Sequence, residues 1–251
     1  MVATSESDLG AFPGLPRLRL LGGFVLEVAA QPVTLPRHAQ RVLAFLSLNS
    51  RGRALCPRGT LAERLWVDST TARSHASLRT ALWRIRQADS RLLRTGGGAV
   101  RLGDQVWVDL YCGLAWAERL LAADELAPGD VQVSELAGDL LPNWDDDWLI
   151  MQREQIRQLR VHALDALAHR LLLLGRHAQA ITVALAAVDA EPLRESAQAT
   201  LIDIYLAERN VSEAVRQYDR YADLLRSELG LAPSRELSVR IPRRLRVPVH
   251  R

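Results

Sequence analysis

The side chains best suited to bind another molecule lie between residues 70 and 109, where arginines recur along a helix-forming stretch and the hairpin that follows it. A guanidinium group carries a permanent charge and five N–H donors, so it binds phosphate oxygens and the acceptor edge of guanine. If the stretch after Thr70 forms a helix, one face presents Arg73, Ser77, Thr80, Trp83, Arg84 and Gln87. This pattern is typical of a helix that enters the major groove of DNA, although the solvated helix of any small domain also satisfies it.

The neighbouring residues predict how this face is positioned. The opposite side of the helix carries an apolar stripe at helical spacing, formed by Leu78, Ala81, Leu82 and Ile85. After Ser90 the pattern changes to two short runs, 92–94 and 100–102, separated by the glycines at 96–98. Glycine adopts the positive φ angles of a tight β-turn without strain. The stretch is therefore predicted to be a helix followed by a β-hairpin wing.

Charge is unevenly distributed along the 251 residues. Residues 1–109 contain 15 arginines and 8 acidic residues, whereas residues 110–239 contain 12 arginines and 21 acidic residues. Basic side chains return in the last dozen positions, at Arg240, Arg243, Arg244, Arg246 and Arg251. We therefore expect the first part of the chain, together with this tail, to be the part that binds a polyanion.

Length and composition limit the class of protein. The chain is long enough for two domains, each with its own hydrophobic core. Its N-terminus lacks the basic start and apolar run of a signal peptide, and no apolar run reaches the roughly 18 residues of a membrane helix. The two cysteines, Cys56 and Cys112, lie far apart without a CxxC partner, which disfavours a disulfide framework or a cysteine-rich zinc site. A cytoplasmic protein without membrane contact is expected.

The order of predicted elements in the first half is that of a winged helix-turn-helix domain. Residues 1–16 are polar and rich in proline and glycine, so they are predicted to be a flexible arm. Residues 17–109 then give three short strands (17–21, 24–28 and 32–35), a helix after Pro36, a shorter helix over 57–66, the arginine-bearing helix and the hairpin.

The second half, residues 110–238, is predicted to be all helical, with a tetratricopeptide-like repeat after a helical bridge over 110–123 and a loop or weak helix over 127–136. Gly175, Ala180 and Pro192 follow the spacing of that repeat, and Ala214 lies 34 residues after Ala180, which is its period. The second copy has Arg209 and Asn210 where the glycine is expected. Residues 239–251 form the basic tail.

These residues resemble two modules of a known family. The phrases LRLLGGFVLEV, RVLAFLSLN, LAERLW, SLRTALWRIRQA and LLRTGGGAVRL resemble the OmpR-type winged-helix domain of the SARP (antibiotic regulatory protein) family of actinobacteria. The later phrases LLPNWDDDW, PLRE and ELGLAPS resemble its bacterial transcriptional activation domain, BTAD. Together the two resemblances cover residues 17–238. One departure is ERNVSEA, where a glycine-containing turn is usual, so a different loop shape is expected there.

The resemblance implies a role for individual residues. It makes LRTALWRIR the recognition helix, with Thr80 and Arg84 facing bases and Ser77 and Arg86 near phosphate. Arg101 takes the wing position that enters the adjacent minor groove, and Trp83 is bulkier than the usual residue. The complete set of expected DNA-binding residues is Arg73, Ser77, Arg79, Thr80, Trp83, Arg84, Arg86, Arg94 and Arg101.

Other candidate sites have simpler explanations. Asp145–Asp147 suggest a metal site, but no calcium-type loop follows, so we interpret them as capping the N–H groups of the next helix. His162 and His169 lie two turns apart, about 10 Å, too far to share a metal without other ligands. No catalytic set, phosphate loop or dinucleotide fingerprint occurs, so we expect neither enzyme activity nor a cofactor.

The sequence therefore favours a DNA-binding transcriptional activator. The resemblance implies binding to direct repeats in double-stranded DNA near promoters of biosynthetic genes, self-association there, and recruitment of RNA polymerase. The alternative is a repeat-based adaptor whose winged helix binds protein. The charge asymmetry favours the activator, because a winged helix that no longer binds DNA does not need a basic surface. A third hypothesis makes the helical domain a sensor of a small ligand.

Overall fold

The computed structural model describes residues 14–122, 126, 131 and 138–241. It confirms the predicted fold class, which is mainly α with a small α+β part, a winged helix-turn-helix domain followed by an all-α helical-repeat domain. The predicted N-terminal arm, the loop or weak helix over 127–136 and the basic tail lie largely outside the described residues. No described helix combines the length and the apolar character that are needed to cross a membrane.

The described part of the first compact unit contains two small sheets and three complete helices. Its elements are β1 (Arg17–Arg19), β2 (Val25–Val28), β3 (Gln31–Pro32), α1 (Arg37–Leu48), β4 (Cys56–Pro57), α2 (Arg58–Leu65), α3 (Thr71–Ala88), β5 (Leu93–Gly96), β6 (Ala99–Leu102) and β7 (Trp107–Val108). The first sheet has the order β3-β2-β1-β7, and the second has the order β4-β6-β5. All the strands and helices predicted for residues 17–102 are present, with shorter strands than expected. The strands β4 and β7 were not predicted, and Pro57, predicted as the first residue of a helix, lies in β4.

In the first sheet, the backbone N–H groups just after β1 are bound by a carboxylate from the start of the next helix, α4 (Asp109–Ala122). Because β7 pairs in parallel with β1, Asp109 reaches the end of β1 and accepts hydrogen bonds from the backbone N–H groups of Leu20 and Leu21 at 2.9–3.0 Å. It also accepts from the N–H of Leu110 at 2.7 Å. Burial raises the pKa of Asp109, an effect that these three donors oppose.

The three helices form the core of this unit through the apolar stripes that the sequence predicts. In α1 the buried positions include Ala39, Val42, Leu43 and Leu46, and in α3 they include Leu78, Ala81, Leu82 and Ile85. Burial of each large side chain contributes about 1.5–3 kcal/mol. Because the apolar stripe of α3 is buried in the core, the opposite face of this helix remains at the surface.

Residues 138–149, which we term the return segment, complete the same core. Leu140 forms a β-bridge with Leu21, and the N–H of Leu141 donates to the carbonyl of Leu20 at 2.9 Å. Four side chains of the segment are buried against the winged helix, namely Leu140, Leu141, Trp144 and Leu149. The sequence pattern places these residues in the helical half, whereas the contacts group residues 138–156 with residues 14–115.

Asp146 of the return segment does not cap a helix, so the capping interpretation was wrong for this residue. Asp146 precedes a short 3₁₀ turn, but its side chain makes no capping hydrogen bond. Its two oxygens instead accept from Arg37 at 3.1 Å and from Arg41 at 2.6 Å, both on α1. The carboxylate thus holds the return segment on α1, and the Arg37 guanidinium also lies 3.6 Å from the centre of the Trp144 ring.

The second unit is built from helical hairpins. Besides the end of α4 it contains most of α5 (Ile150–Leu173), then α6 (His177–Ala190), α7 (Glu195–Ala207), α8 (Val211–Leu229) and α9 (Arg235–Arg240). Ala180 and Ala214, the small residues that share a repeat position, are both fully buried. Leu167 and Leu201, a second pair 34 residues apart, are fully buried as well. The helical repeat is therefore present in the packing as well as in the sequence.

The turns of the two hairpins have the same shape although their sequences differ. Gly175 has φ +68°, and Arg209, 34 residues later, has φ +60°. The N–H groups of Gly175 and Arg176 donate to the third and fifth preceding carbonyls, and those of Arg209 and Asn210 do the same. The expectation of a different loop was wrong, because the hydrogen bonds of the hairpin impose the left-handed conformation even on an arginine.

We expect Trp144→Ala to lower the free energy of unfolding of the first unit by about 3–5 kcal/mol. Trp144 is 4% exposed, and its ring stacks on Phe24 with a centroid distance of 5.9 Å. Urea denaturation followed by circular dichroism measures the change. The matched control is Trp83→Ala, which removes an exposed indole from the same unit and should change stability by less than about 0.5 kcal/mol. Equal effects would show that the return segment does not support the core.

We expect Arg209→Gly to stabilise the helical repeats by about 0.5–1 kcal/mol, because glycine adopts a positive φ without the steric cost that a Cβ imposes. The reverse change in the first repeat, Gly175→Ala, should destabilise by about 1 kcal/mol. No atom lies within 4 Å of the added Cβ at Gly175, so this cost is one of backbone strain. Thermal denaturation of both variants tests the pair, and a destabilised Arg209→Gly variant would contradict the explanation.

Candidate nucleic-acid interface

The outer face of α3 presents almost all the candidate side chains to solvent. Ser77 is half-buried, and the exposed candidates are Arg73, Arg79, Thr80, Trp83, Arg84 and Arg86. The buried stripe on the other side of the helix fixes this orientation. The recognition-helix candidates from the sequence therefore lie together on one accessible surface.

Thr80 is restricted to one hydrogen-bonding role. Its hydroxyl donates to the carbonyl of Ala76, one turn earlier in α3, at 3.1 Å. Because the single hydroxyl proton is used within the helix, the oxygen presents only acceptor lone pairs to a ligand. In a DNA major groove such an acceptor is complementary to the amino groups of adenine and cytosine.

Trp83 and Arg84 are in contact on this face. The Arg84 guanidinium carbon lies 4.9 Å from the centre of the Trp83 ring, within the range of a cation–π interaction. Trp83 is 53% exposed despite its size. Within the described residues, neither Arg84 nor Arg73 nor Arg79 makes an ion pair, so their charges are available to a polyanion.

The wing is a tight hairpin set against the end of α3. Gly97 (φ +56°) and Gly98 (φ +77°) form its two-residue turn, as positive φ at both positions of a type I′ turn requires. At its base, Gly103 donates to the carbonyl of Leu92 at 2.9 Å. A Cβ at Gly103 would lie 1.8 Å from the Arg91 carbonyl oxygen, so only glycine allows this approach of the two strands.

Arg86 connects the helix to the wing. Its guanidinium donates to the Thr95 hydroxyl on β5 at 2.8 Å. The turn between the two elements is fixed by Asp89, which accepts from the backbone N–H of Arg91 at 2.7 Å and from its guanidinium at 2.6–3.1 Å. These hydrogen bonds lower the pKa of Asp89. The helix and the wing are therefore held as one surface.

The two arginines of the wing converge on a carboxylate that the sequence analysis missed. Arg94 and Arg101 are cross-strand partners, and both bind Asp104, at 3.1 Å and at 2.5–3.0 Å. The hydrogen bond from Arg101 lowers the pKa of Asp104. The Arg94 side chain is 67% exposed, whereas that of Arg101 is 24% exposed. An acidic residue three positions after Arg101, just past the strand, was the available signal.

The chemistry of this surface is that of an anion-binding face. It combines exposed guanidinium groups on a helix with a second pair on a hairpin, and a helix of this kind fits the major groove. Among the described residues, no group of three or more histidine, cysteine, aspartate or glutamate side chains is placed to hold a metal ion. Asp104 reduces the positive charge of the wing without removing it.

Comparison with known proteins matches both halves of the chain. Residues 132–243 match the family described as Bacterial transcriptional activator domain. The chain is 28% identical over 213 residues to the regulatory protein AfsR of Streptomyces griseus, and 30% identical over 208 residues to AfsR of Streptomyces coelicolor. These alignments cover 79% and 77% of this chain but only 21% and 20% of those proteins, so the chain spans about a fifth of their length.

A solved structure has the same fold. EmbR of Mycobacterium tuberculosis, determined in complex with a low-affinity phosphopeptide, superposes with a TM-score of 0.70 over 91% of this chain and 64% of that protein. Their sequences are 21% identical, so this likeness concerns the fold. Taken together, the matches confirm the resemblance that the sequence shows.

Proposed function

We propose that this chain, which has the domain organisation of a SARP-family transcriptional regulator, binds double-stranded DNA through its winged helix and activates transcription. The observation that carries the proposal is the outer face of α3, where arginines without a carboxylate partner among the described residues lie beside an arginine-bearing wing. In this proposal α3 enters the major groove and the wing contacts the neighbouring backbone or minor groove.

The residues divide into two roles. Thr80 and Arg84 lie over base edges, since one offers an acceptor and the other a bidentate donor. Arg86, which is tied to the wing, contacts phosphate together with Arg94, while Arg73, Ser77 and Arg79 extend the contact along the backbone. Arg101 supports the wing through Asp104 and faces the minor groove.

The helical half supplies the activating function in this proposal. A bacterial transcriptional activator domain covers it, and we infer that it recruits RNA polymerase and supports self-association on DNA. The target would be direct repeats near promoters of biosynthetic genes for secondary metabolites, with the protein acting in the cytoplasm. The alternative, an adaptor with a protein-binding winged helix, has less support because the arginines of α3 have no function in it.

Recovery of bound genomic fragments from cells, followed by gel shifts on the recovered sites over a salt series, tests the proposal. Each phosphate contact releases condensed counterions, so affinity should fall steeply as salt rises, with a log–log slope of about −0.9 per contact. An adaptor would yield no enriched sites. Transcription in vitro from a recovered site, with and without the protein, then tests activation.

Arg84→Ala should cost about 1–3 kcal/mol on the best site and flatten the preference at one base position, because a bidentate contact to a base is lost. Arg86→Ala, the matched change two residues later, should weaken all sequences alike. Quantitative gel shifts on the best site and on random DNA distinguish the two. Equal losses of both variants on both kinds of DNA would refute the division of roles.

Two substitutions in the wing should change the affinity for DNA in opposite directions. Arg94→Ala removes an exposed cation and should weaken binding to all sequences, with a salt slope shallower by about one contact. Asp104→Asn removes the carboxylate that attracts both wing arginines and should tighten binding and steepen the slope. Titrations at three salt concentrations measure both effects. Weaker binding of Asp104→Asn would show that this carboxylate aligns the wing and that charge is secondary.

A further inference from the structure

We propose that Trp83 is a specificity-determining residue, which contacts the C5 methyl group of a thymine adjacent to the guanine bound by Arg84. It also holds the Arg84 guanidinium in the orientation that binds this guanine. This inference rests on the proposed function of the α3 face. It goes beyond that function by naming a sequence feature of the DNA, a thymine next to a guanine, and the side chain that reads it.

The first observation is the exposure of the indole. Trp83 is 53% exposed on a helix whose buried positions are already filled by Leu78, Ala81, Leu82 and Ile85, so the core does not use it. It lies between two rows of candidate contacts, with Thr80 and Arg84 on one side and Arg79 and Arg86 on the other. A large apolar ring at the centre of a polar contact face gains most when a ligand covers it.

The second observation is the contact with Arg84. Consecutive residues on a helix point about 100° apart, so a separation of 4.9 Å between guanidinium and ring means that the arginine leans over the indole. This contact restricts a long side chain that otherwise samples many rotamers, and the ordering cost of binding falls accordingly. Arg84 has no carboxylate partner among the described residues, so its N–H donors remain available to guanine.

The third step identifies the chemical group that the indole meets. The major-groove edges of the bases are polar except for the methyl group of thymine. Side chains of neighbouring residues that lie about 5 Å apart suit neighbouring base pairs, whose rise is about 3.4 Å. When Arg84 binds the O6 and N7 atoms of guanine, the ring beside it therefore covers the next base pair, where only a thymine methyl offers an apolar contact.

The experiment starts from duplexes that the full-length wild-type protein selects from a random library. In the best selected duplex, the thymine next to the Arg84-dependent guanine is replaced by deoxyuridine, which removes the C5 methyl group alone. Affinities are measured for the wild type and for Trp83→Ala, Trp83→Leu and Trp83→Phe. Thermal melting shows that each variant is folded, as the exposure of this residue leads us to expect.

The wild type should lose about fourfold in affinity on the deoxyuridine duplex, the factor that corresponds to burial of one methyl group. Trp83→Ala should bind the thymine and deoxyuridine duplexes with equal affinity. Its preference for guanine over other bases at the Arg84 position should also fall several-fold. Trp83→Phe, which keeps a ring face, should retain most of the guanine discrimination. Trp83→Leu should retain the methyl preference but lose part of the guanine discrimination, because it lacks a π face.

Several results would overturn the inference. If the wild type does not distinguish thymine from deoxyuridine, or if Trp83→Ala weakens all duplexes by the same factor, the indole reads no base. If Trp83→Leu and Trp83→Phe have the same guanine discrimination, the ring does not orient Arg84. Failure of the library to yield any enriched sequence would instead overturn the proposed function itself, which keeps the two failures distinct.

Discussion

The winged helix depends on one long-range constraint, the return of residues 138–149 to the chain just after β1. The segment pairs with the chain after β1, and it places Trp144 and three leucines in the core that also supports α1 and α3. Asp146 then ties the segment to α1 through Arg37 and Arg41. Because the same segment leads directly into α5, the element that completes the winged helix also lies within the residues, 132–243, that match the activation-domain family.

In the candidate site, contacts with neighbouring residues restrict the conformations of flexible arginine side chains. Arginine has many rotamers, and an arginine that must be ordered on binding loses conformational entropy. Here Arg86 is held by Thr95 and Arg84 by Trp83, while Gly103 sets the wing against the turn after α3. Each of these contacts orders a cation at a defined place before any ligand arrives.

Periodicity predicted the parts of the structure that depend on neighbours in the chain. The stripe of α3, the glycine turn of the wing and the 34-residue repeat all follow from spacing within one or two elements, and each was found at its predicted residues. The strand β7, the return segment and the partners of Asp146 could not be predicted in this way, because they pair residues about 90–120 positions apart. The shape of the turn at Arg209 was mispredicted for a different reason, since the local hydrogen bonds that end α7 outweigh the conformational preference of a single residue.

Among the described residues, the pairing of arginines distinguishes the outer face of α3 from the helical repeats. In the helical repeats many arginines lie beside a carboxylate, as in the ion pairs Arg157–Glu191, Arg216–Glu213, Arg226–Asp223 and Arg240–Asp203. An excess of acidic residues in this half adds a repulsive field toward DNA. On α3 the situation is reversed, because Arg73, Arg79 and Arg84 have no such partner among the described residues. Guanidinium groups that are not neutralised within the protein retain the full electrostatic gain of contacting phosphate, so in the proposed function a polyanion gains most at the face of α3.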